Sequence, residues 1–441
     1  MRIGIVSHFG YALSFAARLQ DEGNEVMLWN DNATRKGLLR VGDGLVNKAG
    51  GYEELLSYVK EADGPALLFF TDSSLGERAD DARKSGVHVI GGGKVCDRLE
   101  QDRDWGQKIV EDCGVMLPEA RDFSTVSDAI EYAHTLGDTE VYWKSDRFLE
   151  SDATYGAKSG EDLATYLQRI RRKYGNRIRC MVQDKIDGVP VSTAQWFNGK
   201  EFVGPVFGTI EHKKYMNDDV GPSTGCSLNA VWTHPEQSEL AGKLGWPEFA
   251  ATLRQAEAPP GIYDMNSVVD DDGNAYFLEH TPRCGYDSEP TAFRLLGDLT
   301  RFLWFVATGQ GSPGDISSHI AYGVRLSVPP YPWEHVKHDS HETPIGVPIQ
   351  GADGLWDGHF IPYQVMASED GLAVACPEAS VGLTLATSRV LGVAHNVAID
   401  YAKTELRVPG LCYRTDGDFV IREDAKALRK VLSDIPEGLV K

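Results

Sequence analysis

The segment GIYDMNSVVDDDGNAYFLEHTPRCG (261–285) concentrates oxygen donors in a pattern that has a chemical use. Two strand-like runs, IYDMNSVVD and NAYFLEHT, are joined by Asp-Asp-Gly-Asn, a strong hairpin signal. Alternate residues share a face of a strand, which puts Glu279 with Thr281 on one strand and Asp264, Asn266 and Asp270 on the other. Oxygen ligands converging from a hairpin are what Mg²⁺ needs when it also holds phosphates. A solvated face of charges is the plain alternative. The position of Glu279 inside a Tyr-Phe-Leu run argues against it.

Three other places carry potential chemistry. In EVYWKSD, Lys144 follows Val-Tyr-Trp and precedes Ser-Asp, which fits a charge turned into a ligand cleft as well as one solvated on a strand face. The run Gly221-Pro222-Ser223-Thr224-Gly225 reads as a turn rich in backbone donors and hydroxyls, able to cradle an anion or to serve as a plain loop. The first strand-to-helix turn is SHFG. Its only glycine is Gly10, so the G-x-G-x-x-G dinucleotide fingerprint is not met, although Asp31 closes the second strand. Ser7, His8 and Gly10 are still placed to meet a ligand at a helix N-terminus, or to form an ordinary turn.

The elements that must position these residues are those of a multidomain globular chain. Its 441 residues suggest two to three domains, and 42% hydrophobic with 25% charged content rules out global disorder. A net charge of −21 argues against strong non-specific nucleic-acid binding, though not against a nucleotide in a locally basic cleft. No run approaches the length of a membrane span, and MRIGIVSHFGYALSF lacks the pattern of a secretory signal. Seven scattered cysteines without a C-x-x-C pair speak for reduced thiols in a cytoplasm and against structural zinc.

RIGIVS, EVMLWND, PALLFFTD and HVIGGG alternate with helical stretches, which predicts a parallel-sheet unit over 1–98. Residues 99–316 read as an α+β body beginning with one polar helix, LEQDRDWGQKIVEDCG, and containing the hairpin above. Residues 317–441 read as a separate, small β-rich cap with a helix at HNVAIDYAKTEL.

In this order and spacing the pieces resemble the glycinamide ribonucleotide synthetase (phosphoribosylamine–glycine ligase) family of the ATP-grasp superfamily. LEQDRDWGQKIVEDCGVMLPEA is similar to the family's L-E-G-S-K-x-x-x-K-x-F-L segment, EVYWKSD to I-V-I-K-A-D-G, and MVQDKIDG to the adenine hinge I-E-E-F-L-D-G. EHKKYMNDDVGPSTG follows D-H-K-R-x-x-D-x-D-x-G-P-N-T-G without a gap, and VVDDDGNAYFLEHTPRCG parallels the metal-bearing strand. GVRLSVPPYP and CYRTDGD echo C-terminal motifs. The resemblance implies an N-terminal parallel-sheet domain, an ATP-grasp body of two lobes, and a β-rich C-terminal domain. It also implies transfer of the ATP γ-phosphate to a carboxylate and capture of the acyl phosphate by an amine, with Mg²⁺ across the phosphates. By the same resemblance Arg103 and Lys144 would bind ATP phosphates, and Gln183, Asp184 and Ile186 would form the adenine hinge. Glu279 with Thr281 would hold the metal, and Asn266 or Asp264 on the opposite strand could complete the set. Arg283, Lys213 and His212 would do the chemistry, and Ser223, Thr224 and Gly225 would enclose the acid.

The departures fall on one side of the site. The family's glycine- and arginine-bearing first loop is VSHFGYALS here, its G-P-E-x-P-L loop is TDSSLG, and the loop over the phosphates is SDRFLESDATYGA, which has no lysine. The hinge glutamate is replaced in Gly188-Val189-Pro190, and Thr281 stands where the second metal ligand is asparagine. The resulting expectation is an ATP-dependent carboxylate–amine ligase with ATP and Mg²⁺, a glycine-like acid, and an altered small amine, nucleotide-derived or otherwise. A true phosphoribosylamine–glycine ligase using Ser7, His8, Ser73 and Ser74 for the phosphate, and a non-catalytic nucleotide-binding relative, are the alternatives. A monomer or small homo-oligomer is expected.

Overall fold

The computed structural model describes residues 1–8, 10–31, 40–145, 154–234, 238–333, 343–352 and 358–441. The segment 146–153, most of the predicted phosphate-covering loop, lies outside them.

The first unit is a five-stranded parallel sheet in which Arg2–Ser7 is central, flanked by Glu25–Asn30 and Ala66–Phe70. Apolar runs such as RIGIV and ALLFF are buried on both faces because helices cover both sides of a parallel sheet. The helices Leu13–Asp21, Gly76–Lys84 and Lys94–Gln101 follow strand ends in this unit. The predicted β-α-β order is therefore present.

A four-stranded antiparallel sheet contains Val141–Ser145, the Lys144 strand, between Thr154–Ala157 and Cys180–Asp184. It carries its own core, in which Trp143 is fully buried among Leu163, Leu167 and Ile170 of the helix Gly160–Tyr174.

The largest sheet has eight strands. Its order begins with the hairpin strands Ala275–His280 and Gly261–Asp270, then Gly188–Phe197, Phe202–Met216 and Val220–His234. It continues through Ile320–Ser327, Ser380–Ser388 and Phe360–Pro362. The 317–441 stretch, expected as a cap of its own, thus adds three strands to this sheet: Ala230 and Val231 of the preceding region pair directly with Tyr322 and Ala321. The long apolar strand Ile320–Ser327 is buried along its whole length, so it needs neighbours on both edges.

Two local differences from the sequence reading bear on the site. The polar helix expected from residue 99 is split at Asp102, whose carboxylate accepts a hydrogen bond from Trp105 N at 3.2 Å and starts a second helix, Arg103–Asp112. The run Gly221–Gly225, expected as a turn, is the first part of the strand Val220–His234. The reversal lies one step earlier, at Asn217–Asp219, where Asp218 and Asp219 take φ of 58° and 53°. Asp tolerates this left-handed backbone better than most residues, which moves the turn off the glycine-proline pair.

Candidate active site

The hairpin predicted at 261–285 forms. Asn266 pairs directly opposite Glu279, and a register shift between Asn266 and Ser267 bends the strand at that point. Asn266 Nδ2 donates to Thr281 Oγ1 at 3.0 Å and lies 3.4 Å from Asp264 Oδ2, while its Oδ1 accepts from Ser192 Oγ at 2.9 Å. Asp264 Oδ1 is buried without a hydrogen-bond partner among the described residues. Burial, followed by the nearby Glu289 and Glu211, raises the Asp264 carboxyl well above its ordinary range, against Arg283 and Lys213. Two carboxylates and a hydroxyl at one point of a hairpin fit Mg²⁺, which takes one or two carboxylates plus phosphate oxygens. Glu279, Asp264 and Thr281 would hold it, since the oxygen of Asn266 is already engaged by Ser192. Asp270, grouped with these on one strand face, instead binds the hairpin turn through Asp272 N and Asn274. His280 turns to the opposite face, stacked on Phe249, and burial pushes its pKa down to about 3.

Four cations act electrostatically on Glu279. Burial alone would raise its pKa, but Lys213, Lys144, Arg103 and Arg283 together hold it below the usual glutamate value. Glu279 and Lys213 are open to cleft solvent, with protein crowding their other sides. Lys144 is buried, and its pKa is pushed down to about 8 by burial and by Arg103 and Lys213, against the pull of Glu279. Lys213 goes the other way: Glu211 and Glu279 outweigh its burial and raise it. Arg103 stands at the first position of its helix, set there by the Asp102 cap, with Nη1 buried and lacking a partner among the described residues. Arg283 is anchored by Glu100 and lies 4.9 Å over the Tyr286 ring.

At the expected hinge, Gln183 is buried at the end of its strand, with Nε2 unpartnered among the described residues. Asp184 is exposed, with its N–H donated to Glu119 O at 2.8 Å, and Ile186 is half-buried just beyond the strand. These positions flank the Lys144 strand, since Tyr142 pairs with Gln183.

Not every expected residue is turned to this centre. His212 alternates away from Glu211 and Lys213. Its Nδ1 binds Asp219 at 2.9 Å and its Nε2 lies 3.1 Å from Asp424, so it ties the strand to the C-terminal helix Gly417–Val431. Thr224 Oγ1 donates to Lys213 O at 2.8 Å, and Ser223 pairs with Lys214, so these residues hold the Lys213 strand in place. A Cβ at Gly225 would stand 3.4 Å from the Tyr286 ring, which places this glycine beside the Arg283 loop.

Sequence reasoning missed Glu211 and Glu289. Alternation with Lys213 could have flagged Glu211, whose carboxyl is raised by burial against the pull of Lys213. Glu289 is buried, binds the backbone of Gly285, and is pushed up to about 8 mainly by burial.

The loop after Ala66–Phe70 is adjacent, because Cys284 N donates to Thr71 O at 3.2 Å. There Asp72 Oδ2 accepts from His8 N at 2.7 Å, Thr71 Oγ1 at 2.9 Å and Ser7 Oγ at 3.3 Å. Gly10, at φ 78°, donates its N–H to Ser7 Oγ at 3.0 Å. Ser7, His8 and Gly10 are thus gathered around a carboxylate of the protein itself.

This sheet order, with cations acting on a hairpin carboxylate, is similar in fold to ATP-grasp ligases. No family model matches the chain. Among curated proteins it is 27% identical over 358 residues to the phosphoribosylamine–glycine ligase of Leifsonia xyli, covering 77% of this chain and 80% of that one. It is 21% identical over 291 residues to the same-named ligase of Halalkalibacterium halodurans, covering 64% of this chain and 65% of the relative, just under two thirds. Among solved structures, the phosphoribosylamine–glycine ligase of Thermotoga maritima superposes with a TM-score of 0.72 at 18% identity, over 94% of this chain and all of that one. A biotin carboxylase from Campylobacter jejuni gives 0.60 at 14% identity, over 97% and 94%. The chain is thus similar to phosphoribosylamine–glycine ligases over most of its length, at low identity.

Proposed function

We propose that this protein is an ATP-dependent carboxylate–amine ligase that forms an amide through an acyl phosphate. A glycine-like amino acid serves as the acid, and an amine other than free phosphoribosylamine as the acceptor. The observation that carries this reading is the convergence of Lys144, Arg103, Lys213 and Arg283 on Glu279. Phosphoryl transfer is catalysed by positioning and charge neutralisation, and a single carboxylate ringed by four cations is suited to both.

Lys144 from the smaller sheet and Arg103 from the start of its helix bind the phosphates of ATP, and Gln183 with the backbone near Ile186 meets the base. Glu279, Asp264 and Thr281 would hold Mg²⁺, which would supply positive charge to the ATP phosphates. Arg283 orients the acid, its planar fork matched to a carboxylate and then to an acyl phosphate. A carboxylate oxygen bonds to the γ-phosphorus as the bond to ADP breaks. The amine nitrogen then bonds to the acyl carbon, the carbon–oxygen bond to phosphate breaks, and the nitrogen gives up a proton. Lys213, charged under the influence of Glu211 and Glu279, stabilises the oxyanion formed in between.

His212 is better placed as a structural tie than as a catalytic group, given its two aspartate partners. The seven cysteines are free thiols, in keeping with a cytoplasmic setting, and among the described residues no helix is long and apolar enough to cross a membrane. Release of ADP from ATP·Mg²⁺, screened over amino acids and then over amines, tests the reading. ADP release that requires both an amino acid and an amine supports it, and none with any pair refutes it.

A further inference from the structure

We infer that the amine acceptor carries no phosphate, and that Asp72 is the residue that sets this choice. The inference rests on the ligase reading above and adds the chemical class of the second substrate. Helix N-termini facing a cleft are ready seats for a phosphate because their N–H groups point outward unpaired. In the N-terminal unit several such donors are used internally. Ahead of the helix Leu13–Asp21, His8 N and Ser7 Oγ are donated to Asp72, and Gly10 N to Ser7. Ahead of Gly76–Lys84, Ser74 N and Gly76 N are donated to Asp97 at 2.7 and 2.9 Å. Ahead of Lys94–Gln101, Lys94 N is donated to Asp80 Oδ2 at 3.0 Å.

Each of these three loops therefore already holds a carboxylate. A phosphate entering the first loop would compete for these donors with, and be repelled by, the buried carboxylate of Asp72, which is 4% exposed. Displacing Asp72 from its three donors would leave a buried charge unpaired, a costly state. The arrangement belongs to the reaction cleft, since Thr71 binds the backbone of Cys284 and Asp72 acts electrostatically on Arg283. A group seated between this loop and Arg283 faces an acceptor oxygen, so it is one that donates hydrogen bonds, a hydroxyl or an ammonium.

The test has two arms. In the first, ribose 5-phosphate is titrated calorimetrically into the protein saturated with ADP and Mg²⁺, so that the nucleotide site cannot capture it. No binding at millimolar concentration is expected, and saturable binding would overturn the inference. This arm reads out even if the protein never turns over. In the second arm, ethanolamine and phosphoethanolamine are compared as acceptors in the ADP-release assay. The wild-type protein should prefer the unphosphorylated amine by about tenfold or more in kcat/KM, equivalent to roughly 1.4 kcal/mol. In Asp72→Asn, checked for folding by circular dichroism, the ratio should fall toward one. A wild-type preference for phosphoethanolamine, or an unchanged ratio in folded Asp72→Asn, would overturn it. ADP release that fails even with hydroxylamine as acceptor would instead count against the ligase reading, leaving the binding arm to decide this one.

Discussion

Arg283 Nε donates to Glu100 Oε1 at 3.0 Å, and Arg283 Nη2 stands 2.9 Å from the same oxygen, while Glu100 Oε2 is buried without a partner among the described residues. One carboxylate oxygen thus fixes two nitrogens of the fork. The anchor comes from the helix Lys94–Gln101, at the junction between the parallel sheet and the large antiparallel one.

Replacing this fork should be felt mainly in the acid substrate. Arg283→Lys keeps the charge but loses the planar pair of donors. Use of the amino acid, measured as kcat/KM, should fall by about 10- to 150-fold, the range of one charged hydrogen bond. A change below about threefold would mean that Arg283 serves only to tie Glu100.

Lys144 should report nucleotide binding through pH. Its pKa of about 8 arises from burial and from Arg103 and Lys213. Phosphates brought beside it favour the charged form, so ATP binding above pH 8 should take up a proton and weaken as pH rises. Calorimetry in buffers of different ionisation enthalpy reads this directly. Lys144→Ala should remove the proton uptake and weaken ATP by roughly 1.5–3 kcal/mol. Unchanged affinity in that variant would place the lysine outside the phosphate site.

Glu289 should shape stability rather than turnover at neutral pH. Its folded pKa of about 8 lies above the ordinary 4.5, so the folded chain holds a proton that the unfolded chain has lost between these values. Stability from this group therefore falls as pH rises from 4.5 to 8. Glu289→Gln, which can still accept from Gly285 N, should flatten that part of the melting-temperature profile. An identical slope in both proteins would contradict the assignment.

The sequence reading succeeded where periodicity acts over a short span. Alternation placed Glu279 with Thr281 and Asp264 with Asn266, because a hairpin pairs neighbours in the chain. The β-α-β unit was legible for a similar reason. The role of Asp72 was not, because it reaches Ser7 across 65 residues through the pairing of two parallel strands. His212 was misread because motif position does not reveal which face of a strand a residue takes, and Asp424 approaches it from a helix more than two hundred residues on. The turn at Asn217–Asp219 was overlooked because Gly-Pro is the louder signal, while Asp-Asp at positive φ was available to form it. The split at Asp102 was discoverable, since Asp before a helical run is a known N-terminal signal.

The central claim is that Glu279, inside its ring of cations, organises acyl phosphate formation. Hydroxylamine traps an acyl phosphate whatever the natural amine is. The decisive measurement is hydroxamate formation from ATP·Mg²⁺, hydroxylamine and a panel of amino acids beginning with glycine, in the wild-type protein and in Glu279→Gln. The account predicts hydroxamate and ADP in equal amounts from the wild type, and neither from a folded Glu279→Gln. No hydroxamate from the wild type with any amino acid, or equal yields from the two proteins, would contradict it.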